Sequence, residues 1–161
     1  MMAENENRII GMAGMNPGCS TISNLRYRND GAYITRQRVS NPTRVASLDE
    51  CLFAVSKNLL SKLKFDEVNC FHWHLYAVDM CYEAVRSFGT ESIVIPESIY
   101  HKEDDHGLTT DKYFLCTMWN LIRKYRNDFS TIDTPCYHVS TSTLPALMKL
   151  SKTCLKNICK K

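Results

Sequence analysis

Apolar positions along the chain fall into two patterns. Short apolar runs closed by Gly, Pro or Asn recur as strands do, and two longer segments carry apolar residues at helical spacing. "RIIGMAG" (8–14) reads as a short buried strand ending in a glycine turn, and "MNPGCSTISN" as loop. Residues 31–39 read as a strand with Ala32, Ile34 and Arg36 on one face, closed by the "SNPT" loop. Residues 44–57 read as two short strand pieces around Leu48-Asp49-Glu50, and "KNLLSKL" as one or two helical turns. "FDEVNC" is a loop before a central helix predicted over about 74–88. Its face holds Leu75, Val78, Tyr82, Val85 and Arg86, and Gly89 is its C-terminal stop.

"SIVIP" (92–96) follows as a strand, and "ESIYH" as a short extended piece ending at His101. The longest helix is predicted over 109–126, with Phe114, Met118, Leu121, Ile122 and Tyr125 as its core stripe. "TIDTPCYHV" reads as extended, and a terminal helix as the close. Strands and helices alternate, without an internal repeat or a low-complexity tract. That predicts one α/β domain over 1–161, a mixed sheet with flanking helices.

Composition narrows the function classes. The 161 residues suffice for one domain with its own core. A net charge of +3 is too small to argue for nucleic acid, so no nucleic-acid partner is expected. No apolar run reaches the roughly 18 residues of a membrane span. The start, "MMAENENR", is polar and acidic, unlike a secretory signal. The eight cysteines are scattered with no Cys-x-x-Cys pair, and read as reduced, mostly buried thiols. A cytoplasmic location is therefore expected.

Chemistry concentrates in "FHWHLYAVDMCYEAV" (71–85). Cys70, His72, His74 and Cys81 are zinc-ligand types, but their spacing is poor for a structural zinc site. A second reading is structural, with Trp73 and Tyr76 in the core and the histidines capping the helix. A third is acid/base chemistry. A helix entrance stabilises negative charge, and His74 and Asp79 both lie within its first two turns.

The order "VASLDECLFAVSKNLLSKLKFDE", then "HWHLYAVDMCYEAVRSFG", then "SIVIPESIYH" resembles the second half of family 2-type glycosyltransferases with the GT-A fold. The resemblance covers roughly 44–107. It implies transfer of a sugar from a nucleotide-sugar donor to a hydroxyl acceptor, saccharide or lipid-linked, with Mn or Mg. It implies that Asp79, the second acid of the family's helix motif, acts as base, and that His74 orients the acceptor or shares in proton transfer. Asp49, Trp73 and Tyr76 would then line the acceptor site, and His101 or His106 would hold metal and diphosphate. The first acid of the motif falls at Tyr76-Ala77 and is missing. So are the Asp-x-Asp motif and most of the nucleotide-binding half. Two readings follow: the acceptor-binding part of a longer enzyme, or a reduced homologue that binds carbohydrate without catalysis. A half-sheet would expose an edge for a partner chain or another copy to cover.

Two further segments carry charge. "HKEDDHG" (101–107) is either a solvated loop or an active-site loop over the diphosphate, with Asp105 and His106 as secondary candidates. The tail from 145 holds Lys149, Lys152, Lys156, Lys160 and Lys161 and no acid. It reads as a packed helix with a basic face, or as one lying peripherally on an anionic membrane surface. Lys124 and Arg126 are either cations of an acceptor pocket or members of surface ion pairs.

Overall fold

The structure, a computed structural model, describes residues 8–17, 20–28, 30–102, 111–143, 145–148 and 151. The chain opens with β1 (Ile9–Gly11), β2 (Ala13–Asn16), β3 (Ser20–Ser23) and β4 (Arg26–Tyr27). Next come β5 (Thr43–Val45), β6 (Ser47–Leu48), β7 (Phe53–Val55) and the one-turn α1 (Lys57–Leu60). The second half holds α2 (Tyr76–Phe88), β8 (Ser92–Val94), β9 (Tyr100–His101), α3 (Lys112–Tyr125), β10 (Thr131–Asp133) and β11 (His138–Ser140). The class is mixed α/β.

The largest sheet has the order β5-β8-β1-β7. β1 and β8 run parallel in the register Ile9↔Ser92, while β7 and β5 are antiparallel to their neighbours. A second sheet, β3-β2-β6, is antiparallel throughout. β4 pairs in parallel with β9, and β10 with β11 as a hairpin.

Residues 8–14 therefore do not end in a turn at Gly14. The strand bends at Met12 and continues as β2. Gly14 serves close approach instead, because a Cβ there would meet the Ser47 carbonyl oxygen at 2.6 Å. Residues 31–39 are not a strand either. They form no ladder, only the isolated bridges Ile22↔Gln37 and Arg26↔Tyr33, and are held instead by single bonds such as those between the Asn24 amide and the Val39 backbone. Three strands replace the two pieces expected in 44–57, and 131–140 folds back into a hairpin.

α2 begins two residues later than its periodicity suggests. Leu75 caps it with φ 62°, and Gly89 ends it in the same left-handed region. Such a φ is rare for a branched, bulky residue, whereas glycine adopts it freely. α3 starts at Asp111, whose side chain accepts the Phe114 N–H at 2.8 Å. Its predicted stripe is buried in full. α2 is buried on two sides. Leu75, Val78 and Tyr82 pack with α3, Ile132 and Val139 in one core. Met80, Cys81 and Ala84 pack against the sheets in another, with Ile9, Leu48 and Val94. Val85, expected in the stripe, is 41% exposed.

Among the described residues no helix is long and apolar enough to cross a membrane. Residues 143, 145–148 and 151 are helical, and the rest of the basic tail lies outside the described residues.

Candidate functional site

The turn from β6 to β7 carries three titratable groups in a row, Asp49, Glu50 and Cys51. The Asp49 N–H donates to the Ala13 carbonyl at 2.9 Å, and its carboxylate accepts the Cys51 N–H at 2.9 Å. The first bond holds the turn against β2, and the second closes the turn on itself. Glu50 lies against the N-terminus of α2. Burial and the neighbouring Asp49 charge push its carboxyl up to about 7, although the N–H groups of Leu75 and Ala77 favour its charged form. Its Oε1 is buried and has no hydrogen-bond partner among the described residues. A carboxyl of this kind exchanges its proton near neutral pH, which suits a general acid or base.

The same two carboxylates act on three further groups. Tyr76 is raised by burial and then by Glu50 and Asp49. Cys51 is raised by burial and then by Asp49, and is therefore protonated and a poor nucleophile. Cys136 is exposed, and the nearby Asp49 and Glu50 charges act to raise its thiol. Cys136 belongs to the turn of the β10–β11 hairpin, which is fastened beside the site by side chains from the first half. The Ser47 hydroxyl donates to the Asp133 carbonyl, and the Thr21 hydroxyl to the Pro135 carbonyl, each at 2.5 Å.

The segment ahead of α2 is aromatic. Trp73 is 58% exposed, and its ring lies 3.7 Å from that of His74. His72 stacks on Tyr113 at 4.3 Å with an interplanar angle of 7°. His74 is buried, with Nε2 3.1 Å from Asp111 Oδ1. Burial works against the charge of Asp111, but the bonds from the Phe114 N–H and His74 hold its carboxyl below the ordinary value. His74 thus ties the mouth of α2 to the start of α3. Tyr76 packs between Phe53 and Phe65, with ring centroids 6.1 and 6.0 Å away.

Asp79 belongs to a different place. It is buried one turn into α2, where its Oδ1 accepts from Lys124 Nζ and from the Tyr125 hydroxyl, both at 2.7 Å. Lys124 also reaches Asp66 at 2.8 Å and Glu83 at 3.7 Å. Burial raises the Asp79 carboxyl against the pull of Lys124. Burial also opposes the Lys124 charge, yet its bonds to Asp66 and Asp79 hold the ammonium above its ordinary value. Asp79 therefore faces α3 and the 65–69 loop, not His74 or the 49–51 turn.

Of the residues singled out in the sequence, the fold brings Asp49 and Tyr76 together around Glu50, and Trp73 onto His74. His101 sits on β9 opposite Tyr27. No hydrogen bond, ion pair or ring contact joins it to either group among the described residues. His106 lies outside the described residues. The four zinc-type ligands do not assemble, because Cys70 and Cys81 pack in separate cores. Among the described residues no group of three or more His, Cys, Asp or Glu is placed to hold a metal ion.

Glu50 was not singled out in the sequence. Its one local signal is an adjacent acid pair between two apolar runs. Its perturbation comes first from burial, which no local pattern reports, and then from the charge of Asp49. No model of a known protein family matches the chain, and a comparison with curated proteins finds no match.

Proposed function

We propose that this domain is the acceptor-binding half of a nucleotide-sugar-dependent glycosyltransferase of GT-A type, and that Glu50, not Asp79, takes up the acceptor's proton. The observation that carries this reading is the Glu50 carboxyl, poised near pH 7 beside Asp49 and the entrance of α2. An acceptor hydroxyl gives up its proton as its oxygen attacks the anomeric carbon, and the nucleoside diphosphate leaves with the bonding pair. The left-handed Leu75 between His74 and Tyr76 supports the reading, since strained backbone gathers at binding and catalytic sites. So does exposed Trp73, because aromatic faces suit the apolar face of a sugar ring.

On this reading the donor half is supplied by another chain or segment. β5 and β7, the outer strands of the largest sheet, are the edges it would extend. The described residues alone do not form a set that holds Mn or Mg at His101, and no step is routed through a metal.

A second reading is favoured by one specific observation. Asp79 is spent on Lys124 and Tyr125, and Tyr76-Ala77 stand where the resemblance would put the first acid of the motif. A domain that binds saccharide without turning it over fits those residues.

The test is thermal stability against a panel of nucleoside diphosphates and nucleotide sugars, with and without Mn, followed by turnover in Glu50→Gln. Stabilisation by a donor, with turnover lost in the variant, supports the transferase. Stabilisation by saccharides alone supports the binder. A folded protein that responds to neither sinks both.

A further inference from the structure

The end of α3 carries three cations, Arg123, Lys124 and the C-cap Arg126, and Lys124 is turned inward onto Asp66 and Asp79. Arg123 and Arg126 are exposed, and neither makes an ion pair among the described residues. The two stand three residues apart at the end of the helix, so they are neighbours on its surface. Together with Asn69, Asn120 and Lys124 they line one cavity of about 390 Å³. That volume is within the range of small-molecule sites, about 300–1,000 Å³, and is larger than a bare oxyanion requires.

Three of the lining groups are already fixed. The Asn69 side chain donates to Asp66 Oδ2 at 2.7 Å, and Asn120 donates to the Asn69 carbonyl at 3.3 Å. Lys124 is held by its two carboxylates. The carboxylates of Asp66 and Asp79 close on Lys124, which leaves the guanidinium groups as the uncommitted charge at the cavity. A helix C-terminus favours one cation, but two like charges on adjacent turns repel unless an anion joins them. Planar guanidinium forks match phosphoryl oxygens two at a time.

We infer that this cavity binds a phosphoryl group carried on a larger molecule, held between the Arg123 and Arg126 guanidiniums with the Asn69 and Asn120 amides at its wall. The site is separate from Glu50, and the inference does not rest on the transferase reading. Its source is either a soluble phosphate ester or a phospholipid headgroup.

Inorganic pyrophosphate is titrated calorimetrically into the full chain at constant ionic strength, without divalent metal. Co-sedimentation is followed with phosphatidylcholine vesicles, with and without phosphatidate. Arg123→Gln and Arg126→Gln are each expected to weaken binding roughly tenfold, and the double variant to abolish it. The double variant Arg28→Gln/Arg36→Gln, at exposed arginines elsewhere, is expected to bind like the unaltered protein. Pyrophosphate binding lost only with Arg123 and Arg126 assigns a soluble ligand. Phosphatidate-dependent sedimentation lost with the same pair assigns a headgroup. Binding of neither probe overturns the inference, as does binding that both double variants retain equally.

Discussion

The ammonium of Lys124 lies 2.7 Å from the Asp79 carboxylate, and this contact joins α3 to α2. Asp66 extends the link to the loop before α2, and its own side chain orders that loop by accepting the N–H groups of Val68 and Asn69. An acid that the sequence offers as a catalytic base is thereby a structural member of a nearly closed network.

Removing it should cost stability before anything else. Asp79→Ala takes the nearest carboxylate from Lys124 and leaves the Tyr125 hydroxyl only the backbone carbonyl of residue 79 at 3.0 Å and Glu83 at 3.5 Å, and is expected to lower unfolding free energy by about 3 kcal/mol. Asp79→Asn, which keeps an acceptor for Tyr125, should cost less. Urea unfolding followed by far-UV circular dichroism checks both. A loss of activity without a loss of stability would return Asp79 to the chemistry.

Glu50 should print its own pH dependence on stability. Its folded pKa, about 7, stands above the ordinary value near 4.5. A raised carboxyl favours the fold fully below the unfolded pKa, and that contribution is lost as pH rises through the folded one. The loss spans about pH 4.5 to 7 and amounts to about 3 kcal/mol. Glu50→Gln should flatten the profile in that window alone. Asp66 works in the opposite sense. Burial disfavours its charge, but the bonds from Asn69 and Lys124 depress its carboxyl, so its contribution is present above the ordinary value and fades as pH falls below about 4. Urea midpoints measured across pH 3 to 8 in about half-unit steps separate the two.

Trp73 should matter to ligands and little to folding. Its ring is mostly exposed and rests on His74. Trp73→Ala is expected to change stability by no more than about 1 kcal/mol. It should remove any saccharide-dependent change in tryptophan fluorescence, because the other tryptophan, Trp119, packs against the α2–α3 core.

Some of this could be read from the chain and some could not. α3 is legible because one face alone is buried, so Phe114, Met118, Leu121, Ile122 and Tyr125 keep strict helical spacing. α2 is less so, because it is buried on two sides. Met80, Cys81 and Ala84 face the sheets, and a single stripe drawn through Leu75 and Val78 wrongly continues to Val85 and Arg86. The late start of α2 has no local signal, since leucine has no preference for the left-handed region that Leu75 occupies. The candidate site is legible at Trp73 and His74, where aromatic and imidazole rings follow one another. It is illegible at Glu50 and Asp79, whose surroundings are built by contacts across tens of residues.

Gly14 offers a test of the sheet junction. A methyl group there would press on the Ser47 carbonyl at 2.6 Å and on Val45 and Val94 at 3.0 and 3.1 Å. Backbone cannot yield as a side-chain tip can, so Gly14→Ala is expected to destabilise by about 2 kcal/mol. Gly31→Ala meets no atom and costs only its left-handed backbone, about 1 kcal/mol. Thermal melts of the pair rank the two effects.

The bonds from Thr21 to Pro135 and from Ser47 to Asp133 join positions 114 and 86 residues apart. A chain emerging from the ribosome cannot make them until residues 133–135 have been synthesised. The 49–51 turn must until then wait without the hairpin beside it. Ordering contacts so remote in sequence pays a large loop-closure cost before they repay it, and slow folding follows. A chain cut before β10 would keep Asp49, Glu50 and Tyr76 and still lack one wall of the place where they meet.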